Sequence, residues 1–203
     1  VIGTILNGYE TREPYGKEVH RAAIVILTSL IDEHVAKGVA TVLRGVFHTE
    51  NILPIAGGSL RYQAMREAFP HERDALIIDA TGQITFISLV RKGLIVDTTE
   101  IPNAGTAKTL VGHIRDELAE LGGRYPLPRT IFLLARETDA ASLCEKLGAA
   151  KLEERWLSDN PPAIIPVLAS HIVSLVRQSA AAAPDILLLL MALYWHRSLK
   201  GED

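Results

Sequence analysis

Between Ala75 and Gly105 the chain holds three apolar runs separated by short polar breaks. Ala75-Leu76-Ile77-Ile78-Asp79 ends in a carboxylate, Ile84 to Val90 is rich in β-branched residues, and Leu94 to Ile101 is closed by Pro102. The breaks are a small-residue turn, Ala80-Thr81-Gly82-Gln83, and a polar turn, Arg91-Lys92-Gly93. Three strands joined by two short turns make a β-meander. The first two strands are apolar at nearly every position, so both of their faces are expected to be covered, as in a sheet layered with helices.

After Gly105 the apolar period lengthens. Leu110, Ile114, Leu118 and Leu121 recur at helical spacing, and Gly122-Gly123 is expected to end that helix. Thr130 to Leu134 reads as a short buried strand. Thr138 or Asp139 is expected to cap a helix running through Leu147, and the alternating segment Lys151 to Leu157 reads as an edge strand. Pro161-Pro162 is expected to open a helix with Ile165, Leu168, Ile172 and Leu175 on its face. An alanine-rich link, Ala180 to Ala183, leads to a terminal helix over Asp185 to Trp195. From residue 75 the order is therefore strand-strand-strand-helix-strand-helix-strand-helix-helix, a meander followed by α/β crossovers.

Ahead of the meander the pattern predicts a smaller α+β unit over residues 1–57. Val1 to Leu6 and Ala22 to Thr28 read as strands, with Asn7-Gly8 as a turn. Ile31, Val35, Val39, Val42, Leu43 and Val46 form the stripe of a helix ending near Gly45, and Asn51 to Ile55 reads as a short third strand. Gly57-Gly58 is a break and Ser59 a good N-cap. Leu60, Ala64, Met65, Ala68 and Phe69 then mark a connecting helix within residues 58–73. The larger domain is expected over residues 74–203.

Composition narrows the class. With 203 residues and 48% apolar content the chain buries a sizeable core. A net charge of −3 argues against a dedicated nucleic-acid binder. The single cysteine, Cys144, excludes an internal disulfide and suits a reducing cytoplasm. It lies beside Leu143 and Leu147 on an apolar face, which favours buried filler over a nucleophile. The apolar run Ile186 to Trp195 is about half the length that spans a bilayer, so a buried or amphipathic helix is expected there. Val1 opens in mid-strand, which reads as a fragment of a longer protein. The seven histidines show no metal-ligand spacing, and no Walker loop, nucleophile elbow or zinc pattern is present. Arg124, Arg129 and Arg136 gather near one loop and strand end, as a solvated rim or an anion contact.

The first turn of the meander carries the chemistry. A carboxylate at a strand end, Asp79, followed by a small-residue turn with Gly82, can set backbone N–H groups against a phosphate or a metal-bound water. Gly105, just before a helix opening near Thr106, is a second candidate phosphate contact. The plainer reading makes both ordinary turn and cap glycines.

Ile77 to Thr85 resembles the second phosphate motif of the actin-like ATPase superfamily, which runs roughly Asp-Ile-Gly-Gly-Gly-Thr-Thr-Asp between two strands. Ile101-Pro102-Asn103-Ala104-Gly105 stands where the cell-division protein FtsA and the pilus-assembly protein PilM carry Ile-Pro-x-Gly-Gly. The resemblance implies a ribonuclease-H-like actin-type half-domain preceded by a small 1C or SHS2-like subdomain. It further implies ATP with Mg²⁺, contacts from Asp79, Gly82, Gln83, Thr85 and Gly105, and an indirect metal role for Asp79. Partners would come from a division or type IV pilus machinery at the cytoplasmic face of the inner membrane, with peripheral membrane association. The oligomeric state stays open, a homo-oligomer included.

The sequence departs from that pattern. Thr81 replaces the first glycine of the motif, Ile84 its first threonine and Phe86 its last aspartate. Ala135-Arg136 stands where a paired-glycine adenosine motif belongs, and only Gly122 to Arg129 is left for the 2B subdomain. Three functions follow: an actin-like nucleotide-binding protein, a structural adaptor that kept the fold and lost the nucleotide, or an unrelated enzyme using Asp79.

Overall fold

The structure, a computed structural model, describes residues 3–11, 13–103, 106–150, 152, 156, 160–176 and 185–198. The chain divides into two units between Leu60 and Arg61.

In the first unit Gly3–Leu6 (β1), Tyr9–Thr11 (β2) and Ala22–Val25 (β3) form an antiparallel sheet in the order β2-β1-β3. Asn7 and Gly8 turn β1 into β2 with φ of 50° and 89°, the paired positive values of a two-residue hairpin. The Asn7 Oδ1 accepts the amides of His20 and Arg21, both at 3.1 Å. Glu33–Phe47 (α1) starts at Asp32, whose carboxylate accepts the His34 and Val35 amides, and stops at His48 in the left-handed region. No residue of α1 is buried, and Val35, Val39, Val42 and Val46 are each more than half exposed. The strand expected over Asn51 to Ile55 does not form. Pro54 removes a ladder donor, and the Asn51 and Ile52 amides bond locally to Thr49 and Glu50. Tyr9–Thr11 supplies a strand the pattern did not predict.

Gly57–Ala68 (α2) crosses the division between the units, beginning two residues ahead of Ser59. The second unit is built on Ala75–Asp79 (β4), Ile84–Arg91 (β5), Leu94–Pro102 (β6), Thr130–Leu134 (β7) and Ala163–Val167 (β8). They form one sheet in the order β6-β5-β4-β7-β8. β5 runs antiparallel to both neighbours, whereas β4, β7 and β8 are parallel. A meander extended from its first strand by two parallel crossovers is the ribonuclease-H-like arrangement. The register pairs Leu76 with Leu89, Ile78 with Ile87 and Asp79 with Phe86. It slips after Leu89, which faces Asp97 while Val90 faces Ile95, so Val96 is bulged.

Alternation along β4 sends its side chains to opposite faces. Leu76, Ile78 and Ala80 join Ile87, Leu89, Ile131 and Leu133 in one core against Ala107–Arg124 (α3) and Glu137–Gly148 (α4). On the other face Phe69, just past α2, stacks on Phe132 with ring centroids 4.4 Å apart. Tyr62 of α2 is buried there, and its hydroxyl donates to the Gly93 carbonyl. The double covering inferred from the apolar β4 and β5 is thus present.

Three boundaries differ from expectation. α3 runs through Gly122-Gly123 to Arg124, because Tyr125 and Pro126 rather than the glycines supply the stop. α4 takes Arg136 as its N-cap, upstream of Thr138 and Asp139. Pro161-Pro162 does not open a helix. Ala163–Val167 pairs in parallel with β7 from Thr130↔Ala163 to Leu134↔Val167, since its β-branched Ile164, Ile165 and Val167 favour a strand. Pro166 is admitted because β8 is an edge strand. Helical structure resumes only as Ala169–Val173 (α5), followed by Ile186–Ser198 (α6). The expected strand Lys151 to Leu157 and the link Ala180 to Ala183 lie outside the described residues. The exceptions are Leu152 and Trp156, both of which are buried. No helix among the described residues is long and apolar enough to cross a membrane.

Candidate functional site

β4 and β7 end side by side. The Ala80 amide donates to the Leu134 carbonyl at 2.8 Å, and the chain then leaves the sheet through Thr81, Gly82 and Gln83. Asn103, at the end of β6, fastens this turn from the far side. Its amide donates to the Gln83 carbonyl at 2.7 Å and its Nδ2 to the Gly82 carbonyl at 2.9 Å.

A cavity of about 330 Å³ opens beside the turn, on the α3 and α4 face. Gly82, Gln83 and Asn103 form one wall, Arg136, Asp139 and Ser142 of α4 and its cap form another, and Leu110 and Leu143 contribute apolar surface. Its place, at the carboxyl ends of parallel strands, is where open α/β sheets form ligand sites. Its size is that of a small-molecule pocket. The Arg136 Nε donates to the Thr81 carbonyl at 3.4 Å, which steadies this cation at the rim. A second cavity of about 290 Å³ borders the other side of Arg136 and includes Thr81 and Asp185.

Gly82 holds no positive φ, and a Cβ added there would come no closer than 3.7 Å to the Ile84 carbonyl oxygen. The turn can therefore be built without a glycine, and what Gly82 supplies is open backbone facing the cavity.

Asp79 points the other way. It is 1% exposed, shares the second face with its cross-strand partner Phe86, and does not line the cavity. One carboxylate oxygen accepts the Thr81 amide at 2.8 Å and the Thr81 hydroxyl at 2.5 Å; the other takes the Arg61 Nε. Arg61 sits with its Cζ 4.8 Å from the Phe86 ring centroid and its side chain 14% exposed. Burial pushes the guanidinium below its ordinary value, and the carboxylate supplies the opposing charge.

These contacts test the implied Mg²⁺. That ion needs oxygen ligands in octahedral array and keeps several waters. The Asp79 carboxylate is instead enclosed by a hydroxyl, an amide and a guanidinium. Among the described residues no three His, Cys, Asp or Glu side chains gather as a metal site. The residues present do not fit a magnesium ion at Asp79.

Of the other residues singled out from sequence, Gly82 and Gln83 meet at the cavity. Thr85 is wholly buried in β5 opposite Ile101, and its Oγ1 finds no hydrogen-bond partner among the described residues. Gly105 lies outside the described residues. Of the three arginines, Arg136 reaches the cavity, whereas Arg124 pairs with Asp97 at 2.6 Å and Glu120 at 3.6 Å. Asn103, Ser142 and Arg61 were not singled out. Asn103 lay inside the Ile101 to Gly105 segment and was within reach. Arg61 had no signal, since nothing in its spacing ties it to a strand end 18 residues later.

No family model matches the chain, and no curated protein matches it by sequence. Solved structures align with part of it. The ethanolamine utilization protein EutJ from Carboxydothermus hydrogenoformans aligns at 16% identity over 53% of this chain and 49% of its own, with a TM-score of 0.33. A Ppx/GppA family member from Aquifex aeolicus aligns at 17% identity over 54% and 42%, with a TM-score of 0.38. RuvC from Thermus thermophilus aligns at 15% identity over 61% and 95%, with a TM-score of 0.32. The chain spans less than half the length of the EutJ and Ppx/GppA structures. The fold assignment rests on the strand order and register described above.

Proposed function

We propose that the five-stranded unit binds a nucleotide at the cavity beside Gly82, within an actin-like protein that links a division or type IV pilus apparatus to the inner membrane. The observation that carries the binding is the composition of the cavity: open glycine backbone, the Arg136 cation and apolar surface from Leu110 and Leu143 around one space. A phosphate fits the first two by charge and close approach, and a base fits the third. The cellular role is supported by the resemblance of Ile77 to Thr85 and Ile101 to Gly105 to the FtsA and PilM motifs. Isothermal titration with ATP tests the site. Micromolar to low-millimolar binding that weakens about tenfold in Arg136→Ala, the loss of one charge-assisted contact, is the expected result. Absence of binding at millimolar ATP removes the reading.

A second reading, an adaptor that binds no nucleotide, draws on α1. Its stripe of Val35, Val39, Val42 and Val46 is uncovered, and an exposed apolar stripe of that kind suits a protein partner. Charged substitution at Val39 and Val42 is expected to abolish partner association and leave ATP titration unchanged. The adaptor reading fails if association survives.

A further inference from the structure

We infer that Arg61 is a built-in replacement for a divalent cation: its guanidinium neutralises Asp79 permanently, and a phosphate ligand in the adjoining cavity is held without metal. The second half rests on the nucleotide reading above; the first does not.

The argument starts from charge. Asp79 closes a fully buried strand at 1% exposure, and an ionised carboxylate there needs a counter-charge. A bound divalent ion is one source of such a charge. Here the counter-charge comes from α2. The Arg61 Nε donates to one oxygen while the Thr81 amide and hydroxyl hold the other. Three donors on an enclosed carboxylate leave no approach for a hydrated ion, whose remaining ligands must be oxygens in fixed geometry. Phe86 completes the exclusion. It stands on β5 directly opposite Asp79, in the place of the last aspartate of the motif the sequence resembles, and presents its ring to the guanidinium at 4.8 Å. A cation–π contact favours a guanidinium and offers nothing to a hydrated metal. Arg61 and Phe86 therefore act as one device, the ring holding the guanidinium against the carboxylate it neutralises. The cavity keeps its own cation, Arg136, for a phosphate.

The test uses Mn²⁺ as the probe, read by loss of the free-ion electron paramagnetic resonance signal on adding the whole chain. The unaltered protein is expected to take up no Mn²⁺ in the sub-millimolar range. Arg61→Gln is expected to gain a site with an affinity at least about tenfold tighter, and that site is lost in Arg61→Gln/Asp79→Asn. If Arg61→Gln does not fold, comparison of unaltered protein with Asp79→Asn decides the matter alone. Sub-millimolar Mn²⁺ uptake by the unaltered protein that vanishes in Asp79→Asn overturns the inference. A second arm titrates ATP in excess EDTA and in excess Mg²⁺. Affinities within about twofold are expected, and a tightening of about tenfold with Mg²⁺ that requires Asp79 overturns it. Should ATP bind under neither condition, the nucleotide reading falls and the Mn²⁺ arm still decides whether Arg61 excludes metal.

Discussion

Asp79 and Phe86 face each other across β4 and β5, and the same guanidinium lies against both. A carboxylate and an aromatic ring in register form a seat with one charged side and one π face, which a planar cation fills better than a metal. The seat is also a point of fragility, because neither charge can be removed singly without stranding the other. Arg61→Met is expected to cost about 3 kcal/mol, the usual scale for breaking a buried ion pair. Arg61→Met/Asp79→Leu is expected to recover most of it. Urea unfolding monitored through the buried Trp156 gives the comparison. A double variant whose cost equals the sum of Arg61→Met alone and Asp79→Leu alone would show that the pair is not coupled.

Tyr62 anchors α2 to the hairpin between β5 and β6. Its hydroxyl donates to the Gly93 carbonyl and accepts from Arg66 Nη1 at 3.0 Å. Lys92 and Gly93 both have positive φ, so the hairpin is tight and the carbonyl is fixed in direction. Tyr62→Phe keeps the ring and leaves a buried carbonyl short of a donor, which is expected to cost about 1–2 kcal/mol. A thermal unfolding midpoint unchanged from the parent protein would exclude this role.

Much of this fold could be read from the order of apolar runs. Over residues 75–103 and 106–134 the elements follow the predicted order, with only the end of α3 displaced, because local periodicity and tertiary burial agree there: β4 is apolar at four of its five positions and buried at all five. Failure came where the two signals separate. Ile165, Leu168 and Ile172 have helical spacing, yet the β-branched Ile164, Ile165 and Val167 are drawn into an edge pairing with β7, and only contact with Thr130 to Leu134 decides it. The site was half readable for the same reason. Gly82 and Gln83 belong to a local turn and could be found. Whether Asp79 and Gly82 share a cavity depends on alternation through the strand end, which sends them to opposite faces. The partner of Asp79 comes from a helix that no motif connects to it.

Thr85 places a hydroxyl in the sheet core without a partner among the described residues. An unsatisfied buried hydroxyl is destabilising, and valine has nearly the same shape. Thr85→Val is expected to be neutral or stabilising by up to about 1 kcal/mol, measured as a shift in the urea midpoint at constant slope. A loss of stability would mean that the hydroxyl is satisfied in solution.

Burial raises the Cys144 thiol above its ordinary value. Desolvation disfavours the thiolate, so alkylation by iodoacetamide is expected to be slower than for a free thiol at mildly alkaline pH and to accelerate when the chain is unfolded in urea. The linkage sign follows. A folded pKa above the unfolded one gives stability that is fully present below the unfolded pKa and is lost as pH rises through the folded value. Cys144→Ala is therefore expected to flatten the alkaline end of the stability curve. An identical curve would remove the thiol from the account.

Gly82 separates a structural glycine from a ligand-facing one. If the turn needed it, substitution would strain the backbone; yet φ there is not positive and the nearest atom to an added Cβ is 3.7 Å away, an ordinary contact. Gly82→Ala is thus expected to fold within about 0.5 kcal/mol of the parent protein, as for a substitution away from any strained position. The same methyl would add bulk to the wall that Gly82 shares with Gln83 and Asn103, opposite Arg136, and hold a phosphate off the backbone. ATP affinity is expected to fall about tenfold or more while the unfolding midpoint stays put. Falling stability would return Gly82 to the role of an ordinary turn residue. Unchanged stability with unchanged affinity would move the ligand away from this turn, and only the combination of intact fold and weakened binding fits a phosphate seated against Gly82.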